Sequence, residues 1–384
     1  MATYRYFATT ARGLEPLVAQ ELQQLGASAI EPGFAGVSFE GDRALLYRVN
    51  LWGRIPFRVL LHLSEQGCRD GAQLYGAVQT VDWGNYLTPE QTFSVRATGK
   101  NRQLNHSHFT ALQVKNAIVD QQRQQFGHRS SIDTQDPDVR INVHIHGDGP
   151  SGPAQGQRVT ISLDSTGESL HRRGYRPAVG QAPLKETLAA ALLQLAEWTP
   201  DQPFLDPLCG SGTLPIEAAR QALQIAPGLG RDFAFQRWPD FDASLWQQQR
   251  QEAEQQRCRS VDIPIVGSDR DGSVIQQAQS NAALAGVADQ VTLLVQALSE
   301  LVPPADHGVI ICNPPYGERL GEADQLGPFY KQLGDVLKQR CRGWTAYVLC
   351  GNLTLAKRIG LRPSRRIPVF NGSIECRLLR YELY

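Results

Sequence analysis

Apolar positions along the chain follow strand-like and helix-like rhythms, and the balance between them shifts twice. Residues 4–9 read as a strand, and Leu14, Leu17, Val18, Leu22 and Leu25 then recur at helical spacing before a turn at Gly26. A strand at 37–39 and a helix from Asp42 complete a strand-helix-strand-helix order, which predicts a small α+β layer with its helices on one face. Residues 58–64, 92–97, 140–145 and 158–163 read as short strands around a helix at about 107–124, a second α+β unit. Residues 147–156, rich in Gly and Pro, read as a surface hairpin loop.

From Glu168 the pattern changes again. A long apolar helix at 187–197 precedes strands at 203–205, 263–267, 291–295, 308–312 and 344–350, which alternate with helices such as 273–285 and 329–339. That alternation predicts an α/β domain with a parallel sheet wound on both faces. Asn371-Gly372 marks a hairpin that would close the sheet with an antiparallel edge pair. Residues 224–262 interrupt the alternation with Trp238, Trp246 and a mostly polar helix at 243–257, which reads as a solvated appendage. The expected division is 1–60, 61–164 and 165–384.

Composition narrows the class. At about 150 residues per domain, 384 residues suggest two or three domains. With 41% hydrophobic and 20% charged residues, the chain is neither disordered nor collagen-like. It lacks both an apolar run long enough to span a membrane and a basic-then-apolar N-terminus, so a cytoplasmic protein without a membrane partner is expected. The seven cysteines form no C-x-x-C and no zinc-like spacing with histidine, so free thiols and no metal are expected. Lys plus Arg and Asp plus Glu both number 38, so a nucleic-acid partner has to be argued from local patches.

Three segments carry chemistry. Asp206-Pro207-Leu208-Cys209-Gly210-Ser211-Gly212-Thr213 lies between a predicted strand and a predicted helix, where glycines admit a ligand close to the backbone and the helix start offers free N–H groups. The run continues as GSGTLP, which lacks both the third glycine of a dinucleotide fingerprint and the Gly-Lys-Ser/Thr of a phosphate loop. Gly267-Ser268-Asp269-Arg270-Asp271 ends the next strand. An acid there can accept hydrogen bonds from ribose hydroxyls, while either aspartate could instead cap the helix near Ser273. In Asn313-Pro314-Pro315-Tyr316, an apolar strand runs into a rigid turn. Asn313 Oδ1 and the Pro314 carbonyl could accept from an amino group, and Tyr316 could stack on a planar base.

DPLCGSGT, GSDRD and NPPYGERL, in this order, resemble motifs of class I S-adenosylmethionine-dependent methyltransferases that act on amino groups. GESLHRRGYR, APLKET, the insertion opening Ala226-Pro227-Gly228-Leu229 and NGSIEC narrow the resemblance to bacterial THUMP-containing RNA guanine-N2 methyltransferases, the 23S ribosomal RNA type above all. The resemblance implies a Rossmann-like catalytic domain preceded by ferredoxin-like and THUMP domains. It implies Asp206, Leu208, Cys209, Gly210, Ser211, Gly212, Thr213, Asp269, Arg270 and Asn313 around S-adenosylmethionine, and Asn313 to Tyr316 around the amine acceptor. Many relatives place an Asp against the adenine amine after the third strand. This chain has Val295-Gln296-Ala297-Leu298, leaving Gln296, Ala297 and backbone groups for that contact. A single catalytic domain is expected, whereas some relatives carry a second.

RNA contact is expected from Arg96, Lys100 and Arg102, with His106 and His108 nearby, and from Arg172, Arg173 and Arg176 beside Tyr175. Transfer RNA is the alternative substrate. A noncatalytic RNA-binding or ribosome-assembly factor is the alternative from another class.

Overall fold

The computed structural model describes residues 2–147, 157–176, 184–317 and 322–384, and all statements below concern these residues. The expected loop at 147–156 lies outside them beyond Gly147. So do residues 177–183 of the APLKET region and 318–320 of the Asn-Pro-Pro-Tyr segment.

The N-terminal half runs β1 (Tyr4–Thr9), α1 (Glu15–Gln24), β2 (Ser28–Gly33), β3 (Gly36–Gly41), α2 (Arg43–Trp52), β4 (Arg58–Gly67), α3 (Gly71–Gln79), β5 (Thr92–Gly99), α4 (Ser107–Phe126), β6 (Ser131–Ile132), β7 (Val139–Ile145) and β8 (Arg158–Asp164). Helix starts follow capping chemistry: Asp42 accepts from Leu45 N at 2.8 Å and Asp70 from Gln73 N at 2.9 Å. These strands form one eight-stranded sheet in the order β2-β3-β1-β4-β8-β7-β5-β6. The expected boundary between residues 60 and 61 falls inside β4, because that strand pairs with β1 at its start and with β8 along most of its length. Two units legible as separate patterns therefore share a continuous backbone ladder. β2 and α3 were not anticipated. β2 is mostly exposed and has no alternating apolar positions to announce it.

The C-terminal half runs α5 (Glu186–Leu195), β9 (Phe204–Asp206), α6 (Thr213–Ala222), α7 (Ala243–Gln256), β10 (Ile265–Asp269), α8 (Gly272–Leu284), β11 (Thr292–Val295), β12 (Gly308–Cys312), α9 (Glu322–Arg340), β13 (Trp344–Cys350), α10 (Leu353–Arg358), β14 (Arg365–Asn371) and β15 (Ile374–Glu382). The sheet order is β11-β10-β9-β12-β13-β15-β14, with β9 to β13 parallel and β15 antiparallel to both its neighbours. This is the doubly wound sheet with an antiparallel C-terminal hairpin that the sequence predicts. The chain goes from β9 out to β11 and returns to β12 on the other side of β9, so the topological switch lies between β9 and β12.

The inserted segment departs from expectation. Rather than standing free in solvent, α7 buries Trp246, Gln249 and Ala253. Trp246 meets Phe235 edge-on at 5.2 Å, Phe235 stacks on Tyr47 of α2 at 4.5 Å, and Gln249 Nε2 donates to Ala44 O at 2.8 Å. Two apolar anchors and one buried, hydrogen-bonded glutamine hold one stripe of this Gln- and Glu-rich helix against the core. Arg237, also in the insertion, pairs with Asp136 at 2.9 Å, so the segment bridges the catalytic half to both N-terminal units. Trp246→Ala should remove about 3–5 kcal/mol of stability in urea denaturation. Trp246→Phe should lose much less, since the indole Nε1 has no hydrogen-bond partner. An unchanged midpoint for the alanine variant would mean that the helix is not a packed element.

Candidate active site

The carboxyl ends of β9, β10 and β12 open onto a cavity of about 1450 Å³. Its floor is the glycine turn after β9. Asp206, 2% exposed, accepts from Leu208 N at 3.1 Å, and Cys209 N donates to Ser268 O at 2.9 Å. Gly210 and Gly212 have φ of +52° and +83°, left-handed values that cost other residues strain. A Cβ on Gly212 would also stand 3.1 Å from Ala278 Cβ of α8, so only glycine lets the turn lie this close to the neighbouring helix.

Asp269 is clamped by the backbone. Its Oδ2 accepts from Gly210 N at 3.2 Å and its Oδ1 from Asp271 N at 3.1 Å, while the residue faces the cavity. Asp271 instead caps α8, accepting from Ser273 N at 2.9 Å. The two aspartates thus divide the roles that the sequence leaves open: one at the cavity, one at the helix start.

Asn313, directly after β12, faces the same cavity together with Pro315, whereas Pro314 is buried. Tyr316 is not presented for stacking. It is 9% exposed, and its hydroxyl donates to Asn313 Oδ1. Its ring lies so close to Gly351 that a Cβ there would come within 2.9 Å of Cδ2. Phe329 of α9 and Phe233 are the phenylalanines on the cavity wall.

Of the residues expected around the cofactor, Leu208, Gly210, Ser211, Asp269, Arg270 and Asn313 border the cavity. Asp206, Cys209, Gly212 and Thr213 stand behind it as framework. Gln296 and Ala297 are not on its wall, where Leu298 stands instead. Gln296 donates its backbone N–H to Asp269 O at 2.9 Å and its side-chain amide to Glu300 O at 3.1 Å.

Among the expected RNA contacts, Arg96, Lys100, Arg102 and Arg172 are exposed. Arg172 pairs with Glu168 at 3.0 Å. Arg173 is instead buried: it is 3% exposed and donates to Leu170 O at 2.7 Å and Gly53 O at 3.3 Å. Arg176 pairs with Glu186 at 2.7 Å and donates to Thr213 Oγ1 at 3.0 Å, so it braces the start of α6. A run of arginines next to a tyrosine looks the same in sequence whether it faces phosphate or backbone carbonyls, and only burial tells them apart.

Glu186, which carried no expectation, borders the cavity with its Oε2 buried and unpartnered. Burial raises its carboxyl, against the opposing pull of Arg176. Burial also pushes Asp206 up to about 8, with the charge of Asp269 adding to it. Both carboxyls are held reluctant to ionise chiefly because burial penalises their charged forms.

An acid protonated in the fold and ionised in the unfolded chain lowers stability as pH rises between its two pKa values. For Asp206 the window runs from about 3.9 to about 8, at no more than about 1.4 kcal/mol per pH unit. Asp206→Asn keeps the acceptor for Leu208 N and should flatten the fall of melting temperature of the ligand-free protein between pH 5 and 8. Parallel melting profiles for variant and parent would refute this assignment.

Comparison with known proteins fits this geometry. Residues 173–380 match the RMKL-like methyltransferase domain, 68–149 the THUMP domain and 5–60 the RlmL ferredoxin-like domain. A Synechocystis protein provisionally named an RNA methyltransferase is 55% identical over all of this chain and 97% of its own. The ribosomal RNA large subunit methyltransferase K/L of Syntrophotalea carbinolica is 43% identical over all of this chain, which spans 54% of that relative's length. The crystal structure of SMU.472 complexed with SAH superposes with a TM-score of 0.88 at 31% identity, covering 100% of this chain and 99% of the other. The chain therefore belongs to the RMKL-like family of S-adenosylmethionine-dependent methyltransferases, its catalytic domain preceded by ferredoxin-like and THUMP domains.

Proposed function

We propose that the chain methylates the exocyclic N2 amine of a guanine in 23S ribosomal RNA, with residues 165–384 performing the chemistry and residues 1–60 and 61–164 holding RNA. The observation that carries this reading is that Asn313 shares one cavity with the glycine turn and Asp269. The name of the Syntrophotalea carbinolica relative supports the choice of RNA, although this chain spans about half of it.

Bound S-adenosylmethionine supplies a methyl on a sulfonium, whose leaving group departs neutral. The protein's task is then alignment. An amide oxygen carries two lone pairs, and the Tyr316 hydroxyl takes one on Asn313 Oδ1. The other is free for an N–H of the guanine amine, and the tyrosine fixes which way the carboxamide points. Tyr316 is thus a positioning residue rather than a stacking platform. Of the two phenylalanines on the cavity wall, Phe233 is buried, which leaves Phe329 as the ring for a base. A paired guanine cannot enter such a cavity, so it must flip out of its helix. Arg96, Lys100, Arg102 and Arg172 would contact phosphates, with the salt dependence this brings.

The test is transfer of labelled methyl to size-fractionated total RNA from a strain lacking the gene, followed by nucleoside analysis. Label should appear in N2-methylguanosine of large ribosomal RNA. Asn313→Ala should cut turnover by about 10²–10³-fold while leaving S-adenosylhomocysteine affinity nearly unchanged. Tyr316→Phe should lose turnover with the oxygen acceptor retained. Label in transfer RNA would overturn the substrate, label in N6-methyladenosine would overturn the base, and no label from protein that binds S-adenosylhomocysteine would favour a noncatalytic factor.

A further inference from the structure

Away from the cavity wall, the turn between β2 and β3 presents Phe34 with 80% of its surface exposed. Nothing in the core requires it there, yet the backbone is shaped to hold it. Ala35 adopts φ of 55°, a left-handed value unusual for a residue with a Cβ. The Glu15 carboxylate accepts from Ala35 N at 3.0 Å and from Gly13 N at 2.7 Å, so one side chain locks two loops together. That lock brings Arg12 alongside Phe34. The Arg12 guanidinium carbon stands 5.9 Å from the centre of the Phe34 ring and 4.4 Å from that of Phe370.

Phe370 sits on β14, next to the hairpin turn. Ile374, at the far side of that turn, and Tyr316 both lie within 3.2 Å of where a Cβ on Gly351 would be. The aromatic and basic surface therefore begins beside the turn that carries Asn313. Arg366 alternates with Phe370 onto the same face of the hairpin and extends the positive charge.

We propose that Phe34, with Arg12 and Phe370, is a stacking platform for a single-stranded nucleotide flanking the target guanine. Exposed aromatic faces paired with guanidinium planes are what unstacked bases bind, and the arginines also meet the adjoining phosphates. A protein partner would call for a contiguous apolar patch. Instead the exposed neighbours of Phe34 include Arg12, Glu31 and Gly33. Flipping one base leaves its neighbours unstacked and in need of such a platform. The inference rests on RNA being the substrate.

The test is binding of the full chain to a short fluorescein-labelled single-stranded RNA and to a 23S ribosomal RNA transcript. Phe34→Ala should weaken binding by about 5- to 150-fold. Phe34→Trp should restore it and Phe34→Leu should not. Arg12→Gln should reduce the salt dependence by about one phosphate contact. S-adenosylhomocysteine affinity, measured by calorimetry, should match the parent in each variant, which establishes that they fold. If the parent binds RNA and Phe34→Ala binds it equally, or if Phe34→Leu binds like the parent, the platform is refuted and the RNA reading survives. If the parent binds neither RNA, both fall together.

Discussion

Between β11 and β12 the chain crosses from one side of β9 to the other, and the active site depends on this reversal. The connections leaving β9 and β12 turn away from each other, so a crevice opens at the carboxyl ends of these adjacent strands. Leu205 pairs with Ile310 across the two strands, which brings the residues that follow, Asp206 on one side and Cys312-Asn313 on the other, to the same end of the sheet. The glycine turn and the Asn313 turn are thus neighbours by topology, though more than a hundred residues separate them in the chain. Their relative position is set by sheet hydrogen bonds rather than by loop conformation.

A second constraint joins the halves of the molecule. Arg173 is buried where α2 ends, bonded to Gly53 O, while Arg54 donates to Ile225 O at 2.9 Å and Glu21 accepts from Arg54 N at 2.7 Å. Tyr175 donates to Glu217 of α6 at 3.0 Å. Buried charges of this kind are weak contributors to net stability, but removing one partner leaves the rest uncompensated. Their arrangement makes the N-terminal sheet, the connecting segment and α6 a single polar junction. Arg176 carries the junction to Thr213, the first residue after the glycine turn, so the position of the N-terminal half and the shape of the cofactor floor are mechanically linked.

The parts of this design that were legible in the sequence are those with local causes. Alternating strands and helices, glycines at positive φ and an Asn before two prolines each leave a mark within a few residues, and Asp206, Asp269 and Asn313 stand at strand ends as read. What was missed depends on distant neighbours. Arg173 resembles an exposed arginine until Gly53 and Leu170 surround it. The helix at 243–256 resembles a solvated one until Tyr47 meets Trp246. Tyr316 resembles a stacking ring until Gly351 makes room for it in the wall. Glu186 lies in the APLKET motif, but nothing local marks it as a cavity residue, because a glutamate opening an apolar helix is an ordinary helix start.

The locking of the Asn313 turn explains how the site can direct a transfer that needs alignment above all. Pro314 and Pro315 each fix φ, which removes freedom within the turn itself. Tyr330, fully buried on α9, donates to Pro315 O at 3.0 Å and holds the turn from one face of the sheet. Tyr316, seated over Gly351 after β13, holds it from the other and pins the Asn313 amide. The asparagine oxygen is therefore anchored through two different elements. An error of about 1 Å in its place is enough to cost about a hundredfold in rate. Rigidity supplied by neighbouring strands and helices, rather than added charge, is what this fold contributes to the chemistry.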